Sequence, residues 1–248
     1  MSLTQPAALL TDTHFGQVVP DHVPTSQPSA PEAAKNYSSI SRIYESLGQI
    51  YSGGQIFAAK ASQIAEMKPG DRVLYAGVGP GEDAVLAAQA GANVTCLDLA
   101  AGMLRVAQTK LDQAGVKAEL IQGDILAHDR VEQYDVVIAN FFLNVFPEAV
   151  VIQMLKHLAT LVKPGGKLLI SDFMKPEGGV ISRSSQACYW GVTNLFYWLL
   201  GLSAWHPVYD YPAYFATAGL ELECEDRFRL LNRLPLGFWS VTARLSSK

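Results

Sequence analysis

The sequence is poor in cysteine, and what cysteine it has follows no metal-binding or disulfide pattern. Cys96, Cys188 and Cys224 lie far apart, are odd in number and form no Cys-x-x-Cys pair. This argues against a disulfide scaffold and a zinc ribbon, and favours reduced thiols in a cytoplasmic protein. The five histidines show neither His-x-x-x-His nor His-x-x-Glu spacing, so we predict no built-in metal site.

Excess positive charge and a membrane-spanning apolar run are also missing. Nineteen Lys and Arg stand against 23 Asp and Glu, so the balance gives no reason to expect a nucleic-acid partner. The stretch 190–205 is apolar apart from three residues, but its 16 residues fall short of the roughly 20 needed to cross a bilayer. With 49% hydrophobic residues, the 248-residue chain can form one or at most two domains.

The chain divides into two segments that differ in composition and periodicity. Residues 1–34 contain five prolines, no Lys or Arg and no sustained periodicity, and we predict a disordered leader. Residues 35–248 are predicted to form the folded domain, and they begin with a helical cap over 35–70. An apolar stripe up to Tyr51 recurs there at three- and four-residue steps. Two interpretations stay open: this stripe packs in the core, or it covers a ligand cleft to which Tyr51 contributes.

The central part of the chain alternates short apolar strands with amphipathic helices. This pattern predicts an α/β fold with a doubly wound, mostly parallel sheet of seven strands, closed by a C-terminal antiparallel hairpin. The predicted helices cover Ile56–Met67, Glu82–Ala90, Gly102–Ala114 and Pro147–Val162. The predicted strands are Arg72–Ala76, Asn93–Leu97, Lys117–Ile121, Tyr134–Ala139, Lys167–Ser171, Leu220–Leu230 and Phe238–Leu245.

A glycine-rich loop follows the first predicted strand and opens the next helix. Gly77, Gly79 and Gly81 permit a tight turn and a close approach of backbone N–H groups to a ligand, although a plain strand-to-helix turn would also use them. Glu82 stands where a dinucleotide fingerprint needs glycine or alanine, which disfavours NAD. Asp98 ends the second strand about 20 residues on, where a carboxylate can bind both hydroxyls of a ribose.

A second carboxylate follows the third predicted strand. Gly123 and Asp124 lie at the carboxyl edge of the sheet, where open α/β sheets bind their ligands. Asp124 could contact an exocyclic amine of a base. The other interpretation is that Asp124 caps a turn, because Gly-Asp is also common turn chemistry.

Four motifs in register resemble class I S-adenosylmethionine-dependent methyltransferases. The resemblance covers roughly 35–245, and the leading helix with its Gly-Gly turn is similar to the ubiquinone/menaquinone C-methyltransferase group. It implies a Rossmann-like fold and S-adenosylmethionine as cofactor. The motifs are the segments Val73–Gly81, Leu97–Leu104, Gly123–Asp124 and Lys163–Gly166.

The resemblance also implies roles for individual residues. The three loop glycines would face the methionine part of the cofactor, and Asp98 with the neighbouring Leu99 would face the ribose. Met103 would lie on the adenine face, and Asp124 with Ile125 at the adenine amine. Asn140, just past the fourth strand, would border the position of methyl transfer.

Two positions depart from the family pattern. Tyr75 stands two residues before the first glycine, where relatives carry the acidic residue that helps to hold the cofactor's amino group. Glu82 and Asp83 are the candidate substitutes; otherwise the loop binds the cofactor more weakly. Asn144 occupies a place where many relatives have histidine, which removes an obvious general base.

An aromatic insertion over 174–217 separates the fifth strand from the hairpin. We consider three interpretations: a lid over an apolar substrate, an interfacial helix that touches a membrane, and plain packing on the sheet. Trp190, Tyr197 and Tyr211 are the candidate substrate contacts. If the acceptor loses a proton, the candidate proton acceptors are His206, Tyr209, Asp210 and Tyr211. His206 is favoured among them because its usual pKa lies near neutrality, and its other interpretation is a hydrogen-bonded loop histidine before proline.

These patterns together predict the transfer of a methyl group from S-adenosylmethionine to a small, rather apolar acceptor. A quinol, a phenol or another secondary metabolite would fit an aromatic lid. One alternative is a lipid-headgroup or amine N-methyltransferase. Another is a non-catalytic cofactor-binding module, suggested by Tyr75 and the missing base. We expect a cytoplasmic protein with a small-molecule partner, and contact with a membrane surface stays open.

Overall fold

The computed structural model describes residues 52–199, 208–230 and 237–246, excluding the side chains of residues 193, 196 and 197. Seven strands form one sheet in the order β3-β2-β1-β4-β5-β7-β6. The strands are β1 Arg72–Ala76, β2 Asn93–Asp98, β3 Glu119–Gln122, β4 Tyr134–Ile138, β5 Val162–Phe173, β6 Leu220–Arg229 and β7 Gly237–Leu245.

Strands β1 to β5 run parallel, and β7 lies antiparallel between β5 and β6. The strand order reverses between β1 and β4, so loops leave the carboxyl ends of these two strands in opposite directions. Open α/β sheets bind ligands in the crevice at this point. The predicted mixed sheet and the C-terminal hairpin are both confirmed, and the candidate site residues Gly79 and Asn140 follow the two strands at the switch point, β1 and β4.

Six helices accompany the sheet in the described part of the chain. The predicted helix over 56–67 is shorter than expected and continues as a 3-10 turn, Gln63–Glu66. The other predicted helices agree to within one residue at each end. The helices are α1 Gln55–Ser62, α2 Glu82–Gln89, α3 Ala101–Gln113, α4 Glu148–Leu161, α5 Val180–Leu199 and α6 Pro212–Phe215.

The core lies on both faces of the sheet, because alternate residues of each strand point in opposite directions. In β1, Leu74 and Ala76 join one apolar cluster with α4, whereas Val73 and Tyr75 join the other with α2. Burial on both faces explains why these strands are almost continuously apolar. The outer strand β6 differs, since most of its residues are exposed and many are charged, which discourages edge-to-edge pairing.

Several predicted features lie outside the described residues. They include the leader 1–34, the start of the helical cap with Tyr51, the stretch 200–207 with His206, and the side chain of Tyr197. The division into a cap over 35–70 and a lid over 174–217 therefore stays a prediction. In the ranges given above, no helix is long and apolar enough to cross a membrane.

Candidate functional site

The three glycines of the loop after β1 differ in what a side chain at each position would contact. All have positive φ, at 67°, 55° and 76° for Gly77, Gly79 and Gly81, which strains any residue with a Cβ. A Cβ on Gly81 would lie 2.7 Å from the Cβ of Ala107 on α3, and one on Gly77 would overlap the Phe142 ring. A Cβ on Gly79 would meet no atom within 4 Å. Gly79 therefore borders the space in which a ligand can approach the loop.

Asp98 at the end of β2 braces this loop. Its Oδ2 accepts a hydrogen bond from the Gly79 N–H at 2.9 Å, and its Oδ1 accepts one from the Ala100 N–H at 2.8 Å. Burial raises the pKa of Asp98, and the two backbone hydrogen bonds oppose that shift. The structure thus brings Gly79 and Asp98 together, as their spacing in the sequence predicted.

The adjoining edge carries the other residues expected to contact the nucleoside. Gly123 N–H donates to the carbonyl oxygen of Asp98 at 3.1 Å, which sets the loops after β2 and β3 side by side. Asp124 is exposed, and its Oδ1 accepts from the Leu126 N–H at 2.9 Å, so it caps a 3-10 turn. Leu99 is 46% exposed. Met103 and Ile125 are buried, and the latter packs in the core.

Tyr75, the departure from the acidic pattern, is buried in β1. Its hydroxyl donates to the backbone carbonyl oxygen of Asp83 at 3.0 Å. Burial, and secondarily the negative charge of Asp83, raise the pKa of this phenol well above its usual value. Tyr75 therefore stays a neutral donor that ties the strand to the first turn of α2.

Of the two acidic residues at the start of α2, only Asp83 points into the interior. Its Oδ2 accepts from Asn140 Nδ2 at 2.8 Å, and its Oδ1 has no hydrogen bond but lies 3.5 Å from Lys60 Nζ. Glu82 instead pairs with Lys110 at 3.2 Å, and both side chains are more than a quarter exposed. A buried carboxylate thus sits beside the glycine loop, eight positions after Tyr75.

Asn140 is the centre of a buried polar network. Its Oδ1 accepts from Gln63 Nε2 at 3.0 Å and from the Ser171 N–H at 2.9 Å. Its Nδ2 also donates to Gln63 Oε1 at 2.8 Å, and Gln63 Nε2 donates to Ser171 Oγ at 2.9 Å. These bonds join the turn after α1 to the ends of β4 and β5, and every partner satisfies a group that burial would otherwise leave unpaired.

Sequence reasoning selected Asn140 but missed Lys60, Gln63 and Ser171. Ser171 carried a weak signal, because it is a polar residue near the carboxyl end of an apolar strand. Gln63 carried none, since its partner Asn140 is 77 positions away in the sequence. The network is a product of the fold and not of a local motif.

A second buried carboxylate, Asp172, lies near the end of β5 and was also missed. It accepts hydrogen bonds from the Tyr211 hydroxyl, from Asn144 Nδ2 at 2.9 Å and from the Phe173 N–H at 2.7 Å. Burial raises the pKa of Asp172 to about 7, against the effect of these donors. Tyr211 is itself fully buried, and Tyr209 donates to the carbonyl oxygen of Phe146 at 2.9 Å.

An aromatic cluster stands beside these groups. Phe173 at the end of β5 contacts Trp190 of α5 with ring centroids 4.7 Å apart, and Phe141 after β4 with centroids 5.5 Å apart. Phe238 packs on the same rings, and α1 covers the cluster through Ile56. Trp190 is buried in this cluster, so the cap and the insertion meet on an apolar surface next to the ends of β4 and β5.

Among the residues described, no group of three or more His, Cys, Asp or Glu side chains could hold a metal ion. Cys96, Cys188 and Cys224 are all unpaired. The candidate site has three parts: a glycine loop with Asp98, a buried polar network at Asp83 and Asn140, and an aromatic side with Asp172.

Comparisons with known proteins find similarity to methyltransferases. A family model for a methyltransferase domain matches residues 73–166. Over 185 residues the chain is 28% identical to the ubiquinone/menaquinone biosynthesis C-methyltransferase UbiE of Pseudomonas paraeruginosa, covering 71% of the chain and 69% of that relative. A ubiquinone biosynthesis O-methyltransferase of Bordetella avium is 36% identical over 111 residues, covering 44% of the chain and 45% of the relative.

A solved structure extends the likeness to almost the whole chain. The 1,6-didemethyltoxoflavin-N1-methyltransferase of Burkholderia thailandensis, with bound 1,6-didemethyltoxoflavin and S-adenosylhomocysteine, aligns with a TM-score of 0.66. The alignment covers 92% of this chain and 94% of that one at 16% identity, a level that shows the fold. The family match spans β1 to the start of β5 and contains both Asp98 and Asn140.

Proposed function

We propose that the chain, which is a class I S-adenosylmethionine-dependent methyltransferase, methylates a small, rather apolar acceptor such as a quinol or a phenol. The enzyme class and the cofactor follow from the family model and the relatives. The observation that carries the choice of acceptor is the aromatic cluster of Phe141, Phe173 and Trp190 at the ends of β4 and β5. Relatives that act in quinone biosynthesis support it.

The residues around the glycine loop fit the cofactor. Gly79 leaves open space on its Cβ side, and Asp98 holds a carboxylate beside it that suits the two hydroxyls of a ribose. Asp83 Oδ1 is buried and makes no hydrogen bond, and Lys60 Nζ lies 3.5 Å from it. We assign to Asp83 the part that relatives give to an acidic residue at position 75, namely to face the ammonium group of the cofactor. Lys60 beside it suits the carboxylate of the same amino-acid group.

The bound cofactor would supply an electrophilic methyl group on a sulfonium sulfur, displaced in line by the acceptor's nucleophilic atom. The chain's own contribution is to align the acceptor and to exclude water, because methyl transfer needs little acid-base machinery. Phe142 packs directly on Gly77 and so brings an aromatic ring to the loop. The apolar side chains after β4 and on α5 favour an acceptor with a planar, apolar body.

The proposal is tested by following methyl-labelled S-adenosylmethionine with a panel of quinols, phenols, amines and lipid headgroups. We expect S-adenosylhomocysteine to form together with label that partitions into an organic phase, from a quinol or a phenol. Asp98→Ala serves as the matched control and should lose most turnover at low cofactor concentration. Label on an amine or on a lipid headgroup would contradict the proposed acceptor and would identify the amine or the headgroup as the acceptor. Cofactor binding without turnover on any acceptor or cell extract would favour a binding module.

The assignment of Asp83 has its own test. Wild type and Asp83→Asn are titrated with S-adenosylhomocysteine and with an analogue that lacks the α-amino group. In the wild type the amino group should strengthen binding by about 1.5–3 kcal/mol, the range for hydrogen bonds to charged groups, and Asp83→Asn should lose most of that preference. Glu82→Gln, its surface neighbour, should keep the preference. Equal preference in wild type and Asp83→Asn would contradict the assignment.

A further inference from the structure

We propose that Asp172 is a positioning residue that locks the loop after β4 onto the 208–215 segment, and thereby fixes the acceptor side of the site. Tyr211 and Asn144 are the two groups through which it acts. The proposal rests on the proposed function for its meaning, because a fixed acceptor side matters only to an enzyme that binds an acceptor there. The geometry of the cluster itself does not depend on that function.

The sheet fixes the position of Asp172, and both oxygens of its carboxylate accept hydrogen bonds from donors in separate parts of the chain. It is the next-to-last residue of β5, pairs with Trp239 of β7 and is 1% exposed. Its Oδ2 accepts from Tyr211, and its Oδ1 accepts from both Asn144 and the Phe173 N–H. A buried carboxylate is costly unless such hydrogen bonds satisfy it, so the three donors and the carboxylate stabilise one another's positions.

The loop held by this cluster carries the aromatic ring that contacts the glycine loop. Asn144 lies in the 3-10 turn Leu143–Val145, two residues after Phe142. Phe142 packs on Gly77 on one side and on Phe146 on the other, with ring centroids 5.3 Å apart. The carbonyl oxygen of Phe146 accepts from the Tyr209 hydroxyl. The 208–215 segment thus holds the loop at two points, through Tyr211 with Asp172 and through Tyr209.

The groups that face Asp172 are neutral hydrogen-bond donors. Tyr211 and Tyr209 face it from the 208–215 segment, Asn144 from the loop after β4, and the Phe173 N–H from its own strand. Burial raises its pKa to about 7, so both protonation states are populated near neutral pH. Asn144 Oδ1 is buried without a hydrogen-bond partner. A protonated Asp172 would need an acceptor, and the Asn144 amide offers its oxygen if it turns by half a rotation.

The first test is amide hydrogen exchange in the free protein, which needs neither cofactor nor acceptor. We expect Tyr211→Phe to speed exchange in peptides covering 141–147, because the loop loses one of its two attachments. The matched control is Tyr214→Phe, on the short helix α6 that begins directly after Tyr211, and this variant loses only a hydrogen bond to Glu148 on an exposed surface. Tyr214→Phe should leave exchange over 141–147 unchanged. Equal exchange in the wild type and Tyr211→Phe would overturn the proposal.

The second test is kinetic and uses an acceptor identified with the wild type. Tyr211→Phe should raise the KM for the acceptor by about tenfold, because binding of the acceptor must then also order the loosened loop. Cofactor affinity should change less than twofold.

The wild-type acceptor KM should also depend on a group titrating near pH 7, and Asp172→Asn should remove that dependence. An equal loss of cofactor and acceptor binding would overturn the proposal, and absent turnover in the wild type would refute only the proposed function.

Discussion

Two carboxylates at the carboxyl ends of strands, the half-buried Asp98 and the buried Asp172, show how differently the two sides of the candidate site are built. Asp98 ends β2 and receives backbone N–H groups from Gly79 and Ala100, which belong to its own and the adjacent loop. Asp172 lies near the end of β5 and receives side chains from Asn144 and Tyr211, 28 and 39 positions away. At Asp98 the proposed cofactor side is thus held by backbone groups of local motifs, and at Asp172 the proposed acceptor side is held by side chains from distant segments.

The difference has a physical consequence. Backbone N–H groups persist whatever side chains surround them, so the loop around Gly79 should tolerate change except at the glycines and at Asp98. Asp83, by contrast, depends on its side-chain partner Asn140. The acceptor side depends on the identity of each side chain in its network. It can therefore be adapted to a new acceptor by a few substitutions, and it can be broken by single ones.

The largest expected effect separates two glycines within the cofactor side. Gly81→Ala should lower the free energy of unfolding by about 2–4 kcal/mol, since it adds a Cβ close to Ala107 to the strain of a positive φ. Gly79→Ala carries only the strain and should lose about 1–2 kcal/mol. Denaturant titration of both variants measures this. Equal losses would show that the contact between the loop and α3 is not tight.

The next effect contrasts the two carboxylates directly. Asp98→Ala should weaken binding of S-adenosylhomocysteine by about 1–3 kcal/mol, because charged hydrogen bonds to the ligand and the brace on Gly79 are lost together. Asp172→Asn should leave that affinity within about 0.5 kcal/mol, as expected for a residue away from the ligand. Isothermal titration calorimetry of both variants with S-adenosylhomocysteine measures the two affinities. A comparable loss in Asp172→Asn would erase the distinction between the two sides.

A smaller effect concerns pH and Asp172 alone. Burial raises its folded-state pKa to about 7 from an ordinary value near 3.8, so the folded protein holds this proton more tightly than the unfolded chain. Its contribution to stability is present below about pH 4 and is lost as the pH rises towards 7. Between pH 5 and 6 the wild type should lose about 1 kcal/mol more than Asp172→Asn. Parallel curves for the two proteins would mean that Asp172 titrates normally.

The smallest effect is expected at the surface beside Asp83. Glu82→Gln removes an ion pair with Lys110 whose two side chains are 29% and 26% exposed, and such pairs contribute about 0–1 kcal/mol. Thermal and denaturant unfolding should therefore barely change. A loss above about 2 kcal/mol would indicate that the start of α2 depends on this pair.

What could be predicted from the sequence also differs between the two sides of the site. The order of strands and helices, the hairpin, the glycine loop and its partner Asp98 were all predictable, because each depends on periodicity or on a spacing of about 20 residues. Asp172, Gln63 and Lys60 were not, since nothing local distinguishes them from other polar residues. Tyr211 was selected as a substrate contact, which stays a prediction, and its buried hydrogen bond to Asp172 was not predictable. Asn144 was noted as a missing base, and its hydrogen bond to Asp172 gives it a different role.

The most direct measurement is amide hydrogen exchange with and without S-adenosylhomocysteine. We expect slower exchange in peptides covering 77–81, 98–103 and 123–126, with little change over 208–215 until an apolar acceptor analogue is added. That result would place the cofactor on the glycine loop and the acceptor on the aromatic side. Protection by S-adenosylhomocysteine over 208–215, with none over 77–81, would contradict the account.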